Sequence, residues 1–253
     1  MPLRVAFDLD GTVADMYTAL HKEALKIFGE EVLAKAAYKN PPPPPAPAEG
    51  PAEAGRPAGD EGAKPEDTTT AMAMDELGLT ARQQMQLWDH VKQIDDFWTT
   101  LPELEPGIIA RIASVAMARR WEVIFFTTRP ATAGEFVQLQ SQRWLDAHGF
   151  RYPSVYVVQR SRGRIADALQ LDAFVDDRAE NCLDIAVESK AKVILVWHGH
   201  LKDVPAGAKR LGVRPVSTIS EAIGLLEHLD DVRSQPGIVR TLKRAFGRTN
   251  PDE

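Results

Sequence analysis

Near the start of this chain lies the stretch Val5-Ala6-Phe7-Asp8-Leu9-Asp10-Gly11-Thr12-Val13. It begins with a short apolar run, which is followed by two aspartates and a glycine. Because alternate residues of a strand point to the same side, Asp8 and Asp10 converge where the strand ends. Two neighbouring carboxylates repel each other unless a cation or a shared proton neutralises them. The stretch therefore predicts a strand that carries an acidic, metal-binding pair at its end.

Two other interpretations of the acidic pair have to be weighed against a metal site. Aspartate and glycine also favour a plain turn after a strand, for reasons of backbone conformation alone. A calcium loop would need a glutamate at its twelfth position counted from Asp8, and Ala19 stands there. The calcium loop is excluded, and residues farther along the chain must decide between a turn and a catalytic site.

Short β-branched or aromatic runs alternate with longer helical patterns, which is typical of a parallel sheet covered on both faces. Strands are predicted at Arg4–Asp8, Glu122–Thr127, Ser154–Val158, Ala173–Asp176 and Lys192–Trp197. Helices are predicted near Gly107–Arg120, Ala133–His148, Arg164–Leu169, Ala179–Ser189 and Ser220–Leu229. Thr218 and Glu221 are placed as a capping box for the last helix. We therefore predict an α/β fold with a Rossmann-like parallel sheet, whose functional side chains gather at the carboxyl ends of the strands.

A long excursion separates the first two strands, and its flanks have helical patterns at Tyr17–Lys39 and Thr80–Phe97. Between them, residues 40–67 hold nine of the 18 prolines, which predicts a disordered or polyproline-like insertion. Within the tail, residues 231–253, the segment Pro236–Thr249 has a basic amphipathic pattern. Either segment could recruit a protein partner, but a passive role is the favoured interpretation.

Length and composition set limits on the kind of protein. The chain has 253 residues, a net charge of -6 and 44% hydrophobic residues, enough for one large domain with an appendage. The mild acidity argues against nucleic-acid binding by charge alone. The single cysteine, Cys182, excludes an intrachain disulfide and fits a reducing compartment. Because no apolar run has the length of a signal region or a membrane span, we expect a soluble, cytoplasmic protein.

Three more signals fall where predicted strands end. Thr127 ends the second strand and Thr128 follows it, and a hydroxyl beside free backbone N–H groups can bind an anion, although a helix N-cap is the alternative. Asp176 and Asp177 end the fourth strand, where two acids are costly without a counterion. The cations ahead of that strand are Arg160, Arg162 and Arg164. The joint order of acid pair, hydroxyl, cation and acid pair favours a phosphate- and metal-binding site.

These motifs resemble those of the haloacid dehalogenase (HAD) superfamily of phosphohydrolases. Residues 7–12 are similar to its first motif, Thr127 to its second, and Asp176 with Asp177 to its fourth. Finer similarities to the 5'(3')-deoxyribonucleotidase-like branch lie at Phe97-Trp98, Thr127-Thr128-Arg129-Pro130, Trp144-Leu145 and Phe174-Val175-Asp176-Asp177-Arg178.

The resemblance also implies a division of the chain into domains. The core domain is expected at residues 1–15 and 105–230. A small helical cap of the C1 type, inserted after the first strand, is expected at residues 16–104 and would contain the Pro-rich insertion. The remaining residues, 231–253, form the basic tail.

The chain departs from the superfamily pattern at the third motif, which is usually a lysine. No lysine occurs between Lys92 and Lys190. We select Arg164 as the substitute, with Arg160 and Arg162 as competitors. Arginine keeps the positive charge but spreads it over a planar fork, so it is not an equivalent replacement.

The resemblance implies a role for each motif residue. Asp8 is the expected nucleophile, which forms an aspartyl-phosphate, and Asp10 is the expected acid and base. Mg²⁺ is the expected cofactor, and its ligands would be Asp8, the backbone carbonyl of Asp10, Asp176 and Asp177. Arg164 would also act in catalysis, and the expected contacts to substrate are Thr127, Thr128, Arg164 and Trp98. For Trp98, which would stack on a base or sugar, core packing is the alternative.

We therefore predict a Mg²⁺-dependent phosphatase that hydrolyses small phosphate monoesters, with nucleotides as one candidate class of substrate. No stable nucleic-acid partner and no transmembrane segment are expected. The alternative is a non-catalytic phosphate-binding or scaffold protein that recruits partners through the Pro-rich insertion and the basic tail. The intact pair of Asp8 and Asp10 favours catalysis, whereas the missing lysine favours the alternative.

Overall fold

The computed structural model describes residues 2–39 and 77–234, with side chains described for 2–34 and 77–234. The Pro-rich insertion at about 40–67 and the basic tail beyond residue 234 lie outside the described residues. Within the described ranges, no helix is both long enough and apolar enough to cross a membrane.

Six parallel strands form one sheet in the order β3-β2-β1-β4-β5-β6. Their bounds are β1 Arg4–Asp8, β2 Glu122–Thr127, β3 Ser154–Val157, β4 Ala173–Asp176, β5 Lys192–Val196 and β6 Arg214–Val216. The five predicted strands are confirmed, each with its carboxyl end within one residue. β6 was not predicted because it has three residues and contains Pro215, which an edge strand tolerates.

Nine α-helices and two 3₁₀ turns accompany the sheet in the part of the chain that the structure describes. The helices are α1 Met16–Phe28, α2 Glu30–Lys39, α3 Ala81–Val91, α4 Ile108–Arg119, α5 Val137–Ala147, α6 Arg162–Ala168, α7 Ala179–Glu188, α8 Ala206–Arg210 and α9 Ile219–Ser234. The 3₁₀ turns are Phe97–Thr99 and Leu201–Asp203. The segment predicted as one helix at Tyr17–Lys39 is two helices that meet at Gly29, whose φ is 75°. α9 continues to Ser234, past its predicted end at Leu229 and into the residues assigned to the tail.

Side-chain caps determine where two of these helices begin. The Asp15 carboxylate accepts a hydrogen bond from the Thr18 N–H (2.9 Å) at the start of α1. At the start of α9, the Thr218 hydroxyl accepts from the Glu221 N–H (3.1 Å), as predicted. The Glu221 carboxylate accepts from the Ser217 N–H (2.8 Å) instead of completing a capping box with Thr218.

β1 shows why an acidic pair follows an uninterrupted apolar run. Val5 and Phe7 pack into the apolar layer on one face of the sheet, Ala6 packs into the layer on the other face, and all three are fully buried. A strand that is buried on both faces is apolar at every position rather than at alternate ones. β2 lies on one side of β1 and β4 on the other, and chain order reverses at this point. Ligands of open α/β sheets bind outside the carboxyl ends of the strands at such a switch point.

Candidate active site

The switch point brings together the ends of three adjacent strands. Asp8 is the last residue of β1, Thr127 the last of β2 and Asp176 the last of β4. The order β2-β1-β4 places Asp8 between the other two. All three side chains are buried, so their polar atoms interact in a medium from which most water is excluded.

Asp8, Asp176 and Asp177 form a cluster in which carboxylate oxygens lie within 4.8 Å of one another. The loop after β1 presses against this cluster at Gly11, whose φ is 84°. A Cβ on Gly11 would lie 2.3 Å from Asp177 Oδ2, so glycine is required both by space and by backbone conformation. The Thr12 hydroxyl donates to Asp177 Oδ1 (2.8 Å) and holds that carboxylate in the cluster.

The cluster favours protonation or a bound cation. Burial raises the pKa of Asp8 well above its usual range, Arg162 opposes this shift, and the neighbouring carboxylates, Asp176 foremost, add to it. Burial also raises the pKa of Asp177 to about 7, and the charge of Asp176 contributes. Among the described residues, neither Asp8 oxygen accepts a hydrogen bond of good geometry. Closely spaced carboxylate oxygens with unfilled acceptor capacity are the donor set that hard divalent cations prefer.

The positive charge in the cluster comes from Arg162, and Arg164 lies outside it. Arg162 Nη1 is 2.6 Å from Asp8 Oδ1 and also contacts Asp176 Oδ2. Burial alone would lower the pKa of Arg162, but Asp8 and Asp176 raise it above its usual value. The Arg164 side chain is 79% exposed, and its nearest carboxylate, Glu188, is 3.9 Å away.

The start of α6 explains which arginine enters the site. Ser161 is the N-cap and accepts the Arg164 N–H (3.2 Å), so Arg162 is the first helical residue. Successive helical residues are separated by about 100°, and Arg164 therefore points almost opposite to Arg162. Arg160 precedes the cap and is exposed. The sequence signal that could have identified Arg162 was the N-cap preference of Ser161.

Two hydrogen-bond donors at the start of α7 hold the Asp176 carboxylate in place. Asn181 Nδ2 donates to Asp176 Oδ1 (3.1 Å) and Oδ2 (3.2 Å), and the Arg178 N–H donates to Oδ1 (2.9 Å). Asn181 was not among the predicted site residues, because a single asparagine one helical turn after a strand carries no pattern of its own. These donors fix the orientation of the Asp176 carboxylate toward Arg162.

Asp10 belongs to a separate group of residues and is not part of the carboxylate cluster. The Arg129 Nε donates to Asp10 Oδ1 (2.8 Å) and Oδ2 (2.9 Å), and Arg129 Nη2 lies 2.7 Å from Oδ1. The Thr127 hydroxyl donates to Asp10 Oδ2 (2.9 Å) and accepts from the Arg129 N–H (3.1 Å). Arg129 lies in the stretch Thr127-Thr128-Arg129-Pro130, but nothing in the sequence was a reason to predict a role for it. Its position two residues after Thr127, at the end of a buried strand, was the available signal.

Trp98 packs against this second group rather than lining an open surface. Its ring is fully buried, the Arg129 guanidinium lies 5.0 Å from the ring centroid, and the indole N–H donates to the Pro130 carbonyl (3.0 Å). Trp144 lies near the same guanidinium, at 5.8 Å from ring centroid to Arg129 Cζ. The structure thus places Trp98 beside Arg129 and leaves no exposed part of its ring. Thr128 follows Thr127 and is half-buried.

The loop after β5 also reaches the site. The His198 Nε2 atom lies 2.7 Å from the Gly11 carbonyl oxygen, within hydrogen-bond distance. His198 is exposed and its charge lowers the pKa of Asp177, against the larger effect of burial. This histidine was not predicted, because no motif in the sequence marks it as a site residue.

Comparison with known proteins finds no matching family model and no matching curated protein. Solved structures with similar backbones include a protein from Thermotoga maritima named as a β-phosphoglucomutase, which is 15% identical with a TM-score of 0.48 over 89% of this chain and 99% of that one. A haloacid dehalogenase-like hydrolase from Streptococcus pneumoniae is 13% identical, with a TM-score of 0.48 over 89% and 98%. A dehalogenase is 12% identical, with a TM-score of 0.48 over 88% and 96%. Similarity at this level supports no statement about activity.

Proposed function

We propose that this protein is a hydrolase of the HAD superfamily that cleaves small phosphate monoesters through an aspartyl-phosphate on Asp8. The observation that carries the proposal is the cluster of buried Asp8, buried Asp176 and half-buried Asp177 with Arg162 at the switch point of the sheet. The order of acid pair, hydroxyl, cation and acid pair along the chain supports it. The resemblance to the superfamily in those motifs supports it as well.

Asp8 is suited to nucleophilic attack by its surroundings. Its oxygens accept no well-formed hydrogen bond from the described residues, so the carboxylate has electron pairs available for phosphorus. Attack forms the Asp8 Oδ–phosphorus bond, breaks the ester P–O bond and releases an alkoxide that needs a proton. Arg162 favours the charged form of the carboxylate, against the effect of burial, and supplies positive charge beside the phosphoryl group.

Asp8, Asp176 and Asp177, with the backbone carbonyl of Asp10, would hold Mg²⁺. When bound, the ion supplies the positive charge that offsets repulsion between the carboxylates and a phosphate dianion. The oxygen-only donor set and the unfilled acceptors of Asp8 fit this ion. Asn181 would keep the Asp176 carboxylate oriented for that role.

Asp10 is the proposed acid and base, and its present contacts define what that role requires. Arg129 and Thr127 occupy both carboxylate oxygens. Donation of a proton to the leaving alkoxide therefore requires the carboxylate to rotate away from Arg129. Thr127 can contact a phosphoryl oxygen only when its hydroxyl proton turns from Asp10, and Thr128 supplies the adjacent backbone.

The site chemistry favours phosphate transfer over carbon–halogen cleavage. A departing halide needs no proton, whereas an alkoxide does, and Asp10 is placed two residues from the nucleophile to provide one. Three clustered carboxylates are unfavourable beside a substrate anion unless a cation joins them. These features give a phosphatase a use for every residue of the site.

We propose that α1, α2 and α3 belong to a C1-type cap that covers this site. α1 starts directly after the loop that carries Asp10, and His90 Nε2 of α3 lies 3.1 Å from Glu23 Oε2 of α1. A cap excludes water from the phosphoenzyme and contacts the leaving group. Within the phosphate monoesters, nucleotides are the narrower candidate class of substrate. Because the ring of Trp98 is buried, another residue would have to contact the base. The proposed compartment is the cytoplasm, which a chain with a single, buried cysteine fits.

Phosphate release from p-nitrophenyl phosphate by the full chain tests the proposal. We expect release with MgCl₂, none with EDTA, and none from Asp8→Asn. Asp167→Asn is the matched control, because Asp167 is an exposed carboxylate on α6, and it should behave as wild type.

A panel of substrates separates the possible outcomes. Faster release from nucleotides than from sugar phosphates would support the nucleotidase assignment. Turnover that survives Asp8→Asn would contradict the nucleophile. Halide release from 2-haloacids without phosphate release from any ester would contradict the phosphatase assignment.

A further inference from the structure

Asp184 of α7 binds the first turn of α6 on both sides of Arg162. Its Oδ1 and Oδ2 atoms each lie 3.0 Å from the Ser161 hydroxyl, which donates to the carboxylate. Oδ2 also accepts the Gly163 N–H (2.8 Å). The residue before Arg162 and the residue after it are therefore tied to one carboxylate on the neighbouring helix.

Gly163 allows the two helices to approach closely enough for these bonds. A Cβ on Gly163 would lie 2.4 Å from the Asp184 carbonyl oxygen and 2.6 Å from Glu188 Cβ. Any larger residue would push α6 away from α7 and would move the Cα of Arg162 with it. Gly163 is needed here for space.

The same helix orients the partner of Arg162. Asn181 and Asp184 are three residues apart on α7 and so lie on neighbouring positions of one helix face. Asn181 binds the Asp176 carboxylate, and Asp184 binds the turn that carries Arg162. The distance between Asp176 and the Arg162 guanidinium thus depends on one rigid element.

A helix as short as α6 depends on such an anchor. It has seven residues, and isolated helices of that length are not stable in water. Its N-terminal N–H groups need acceptors, which Ser161 and Asp184 provide. Loss of the anchor would let the start of α6 shift relative to the sheet.

We propose that Asp184 is a positioning residue that holds Arg162 between Asp8 and Asp176. Its effect on catalysis rests on the function proposed above, whereas its effect on the placement of Arg162 does not. A planar guanidinium contacts two carboxylates only from a narrow range of positions. A misplacement of about 1 Å in a catalytic group can lower the rate by roughly 100-fold.

The test is a double-mutant cycle of Asp184→Asn with Arg162→Met, with Glu188→Gln as the matched control on α7. Glu188 is 43% exposed at its side chain and its nearest cation, Arg164, is 3.9 Å away. We expect Asp184→Asn to lower kcat/KM by roughly 10- to 100-fold. In the Arg162→Met background the same substitution should change kcat/KM by less than about twofold. Glu188→Gln should leave kcat/KM within about twofold of wild type.

A role in helix capping alone would give a different result, because its effects would be independent of residue 162. Equal reductions in both backgrounds would overturn the proposal. Ser161→Ala provides a second variant, should Asp184→Asn fail to fold, because it removes one donor to the same carboxylate, together with the cap of the Arg164 N–H, and keeps the Gly163 bond. It should show the same dependence on Arg162, and an equal loss in both backgrounds would overturn the proposal.

Unfolding by urea decides the inference even when no ester is hydrolysed. In EDTA, the midpoint shift caused by Asp184→Asn should fall below about half its size once Arg162 is replaced by Met. An unchanged shift would overturn the positioning role. Absence of turnover in the wild-type protein would instead contradict the proposed function and leave this stability result to stand alone.

Discussion

Asp8 and Asp10 are two residues apart, yet they lie in two differently built halves of the site. In the acidic half, made of Asp8, Asp176 and Asp177, carboxylates face one another and Asp8 accepts no well-formed hydrogen bond from the described residues. In the paired half, made of Asp10, Thr127 and Arg129, donors occupy both oxygens of the carboxylate.

We interpret the acidic half as the reactive part of the site and the paired half as its structural support. Buried polar groups are normally satisfied, and exceptions concentrate where a ligand or a reaction uses the unfilled capacity. In the acidic half the two oxygens of Asp8 accept no well-formed hydrogen bond from the described residues, whereas Asp176 and Asp177 each accept hydrogen bonds. The paired half uses a buried guanidinium, with two indole rings nearby, to hold its carboxylate in one position. The following substitutions test that division.

The largest expected effect is the loss of activity in Asp8→Asn. The amide is nearly the same size but cannot attack phosphorus, so we expect kcat to fall by about 1,000-fold or more. Thermal unfolding in EDTA should show little change in stability, because the substitution relieves the repulsion of Asp8 by Asp176 and Asp177 while Arg162 keeps its contact with Asp176. A large loss of stability would show that the ion pair between Asp8 and Arg162 outweighs the repulsion within the cluster.

Arg129→Met should cause the largest loss of stability. It leaves the Asp10 carboxylate buried without its partner, at a cost of about 3–5 kcal/mol in the free energy of unfolding. MgCl₂ should not restore this loss, because Asp10 is not in the carboxylate cluster. Arg162→Met is the comparison, since a cation can replace its charge between Asp8 and Asp176. Equal recovery of the two variants in MgCl₂, measured by urea unfolding, would contradict the separation of the halves.

The pH dependence of stability tests the acidic half. Burial raises the pKa of Asp177 to about 7, whereas in the unfolded chain it is about 4. The folded protein therefore binds a proton that the unfolded chain has lost, and its stability falls as pH rises from 4 through 7. In EDTA, the free energy of unfolding of wild type minus that of Asp177→Asn should decrease from pH 5 to pH 8. An increase over that range would show that the folded pKa is not raised.

Trp98→Phe, a substitution next to Arg129 in the paired half, should have the smallest effect on stability. It removes the indole N–H bond to Pro130 and weakens the contact with Arg129, for a loss of about 1 kcal/mol in stability. The ratio of kcat/KM for nucleotides to that for aryl phosphate should stay within about twofold, because the buried ring offers no stacking surface. A selective loss with nucleotides would restore Trp98 as a base contact.

The positions of five strands along the chain and the main acidic residues could be predicted because they depend on local pattern. The run that ends at Asp8 and the acids that end β4 are each visible within about six residues, and parallel strands bring such ends together. The five longer strands were predicted for the same reason. β6 was missed because three residues are too few for a pattern.

The choice among the three arginines could not be made in this way. Arg160, Arg162 and Arg164 are alike in charge, and only the start of α6 at Ser161 decides that Arg162 turns inward. Arg129 was missed for a related reason, because the carboxylate that it contacts, Asp10, lies more than 100 residues earlier in the chain. Asn181 lies close to Asp176 in the chain and was missed because a single asparagine carries no pattern of its own. Trp98 was predicted to contact substrate because the sequence does not show that its side chain is fully buried.

The sequence alone determined which chemical groups stand at the strand ends: two carboxylates at i and i+2 at the end of a buried strand, a hydroxyl at the end of the next, and a second acid pair at the end of another. Parallel strands carry these residues to one edge of the sheet. Only the tertiary structure decided which groups neutralise them, because ion pairs form between residues more than 100 positions apart, as Asp10 and Arg129 do. The physical reason is that burial, and with it the strength of each charge, depends on packing between elements and not on neighbours in the chain.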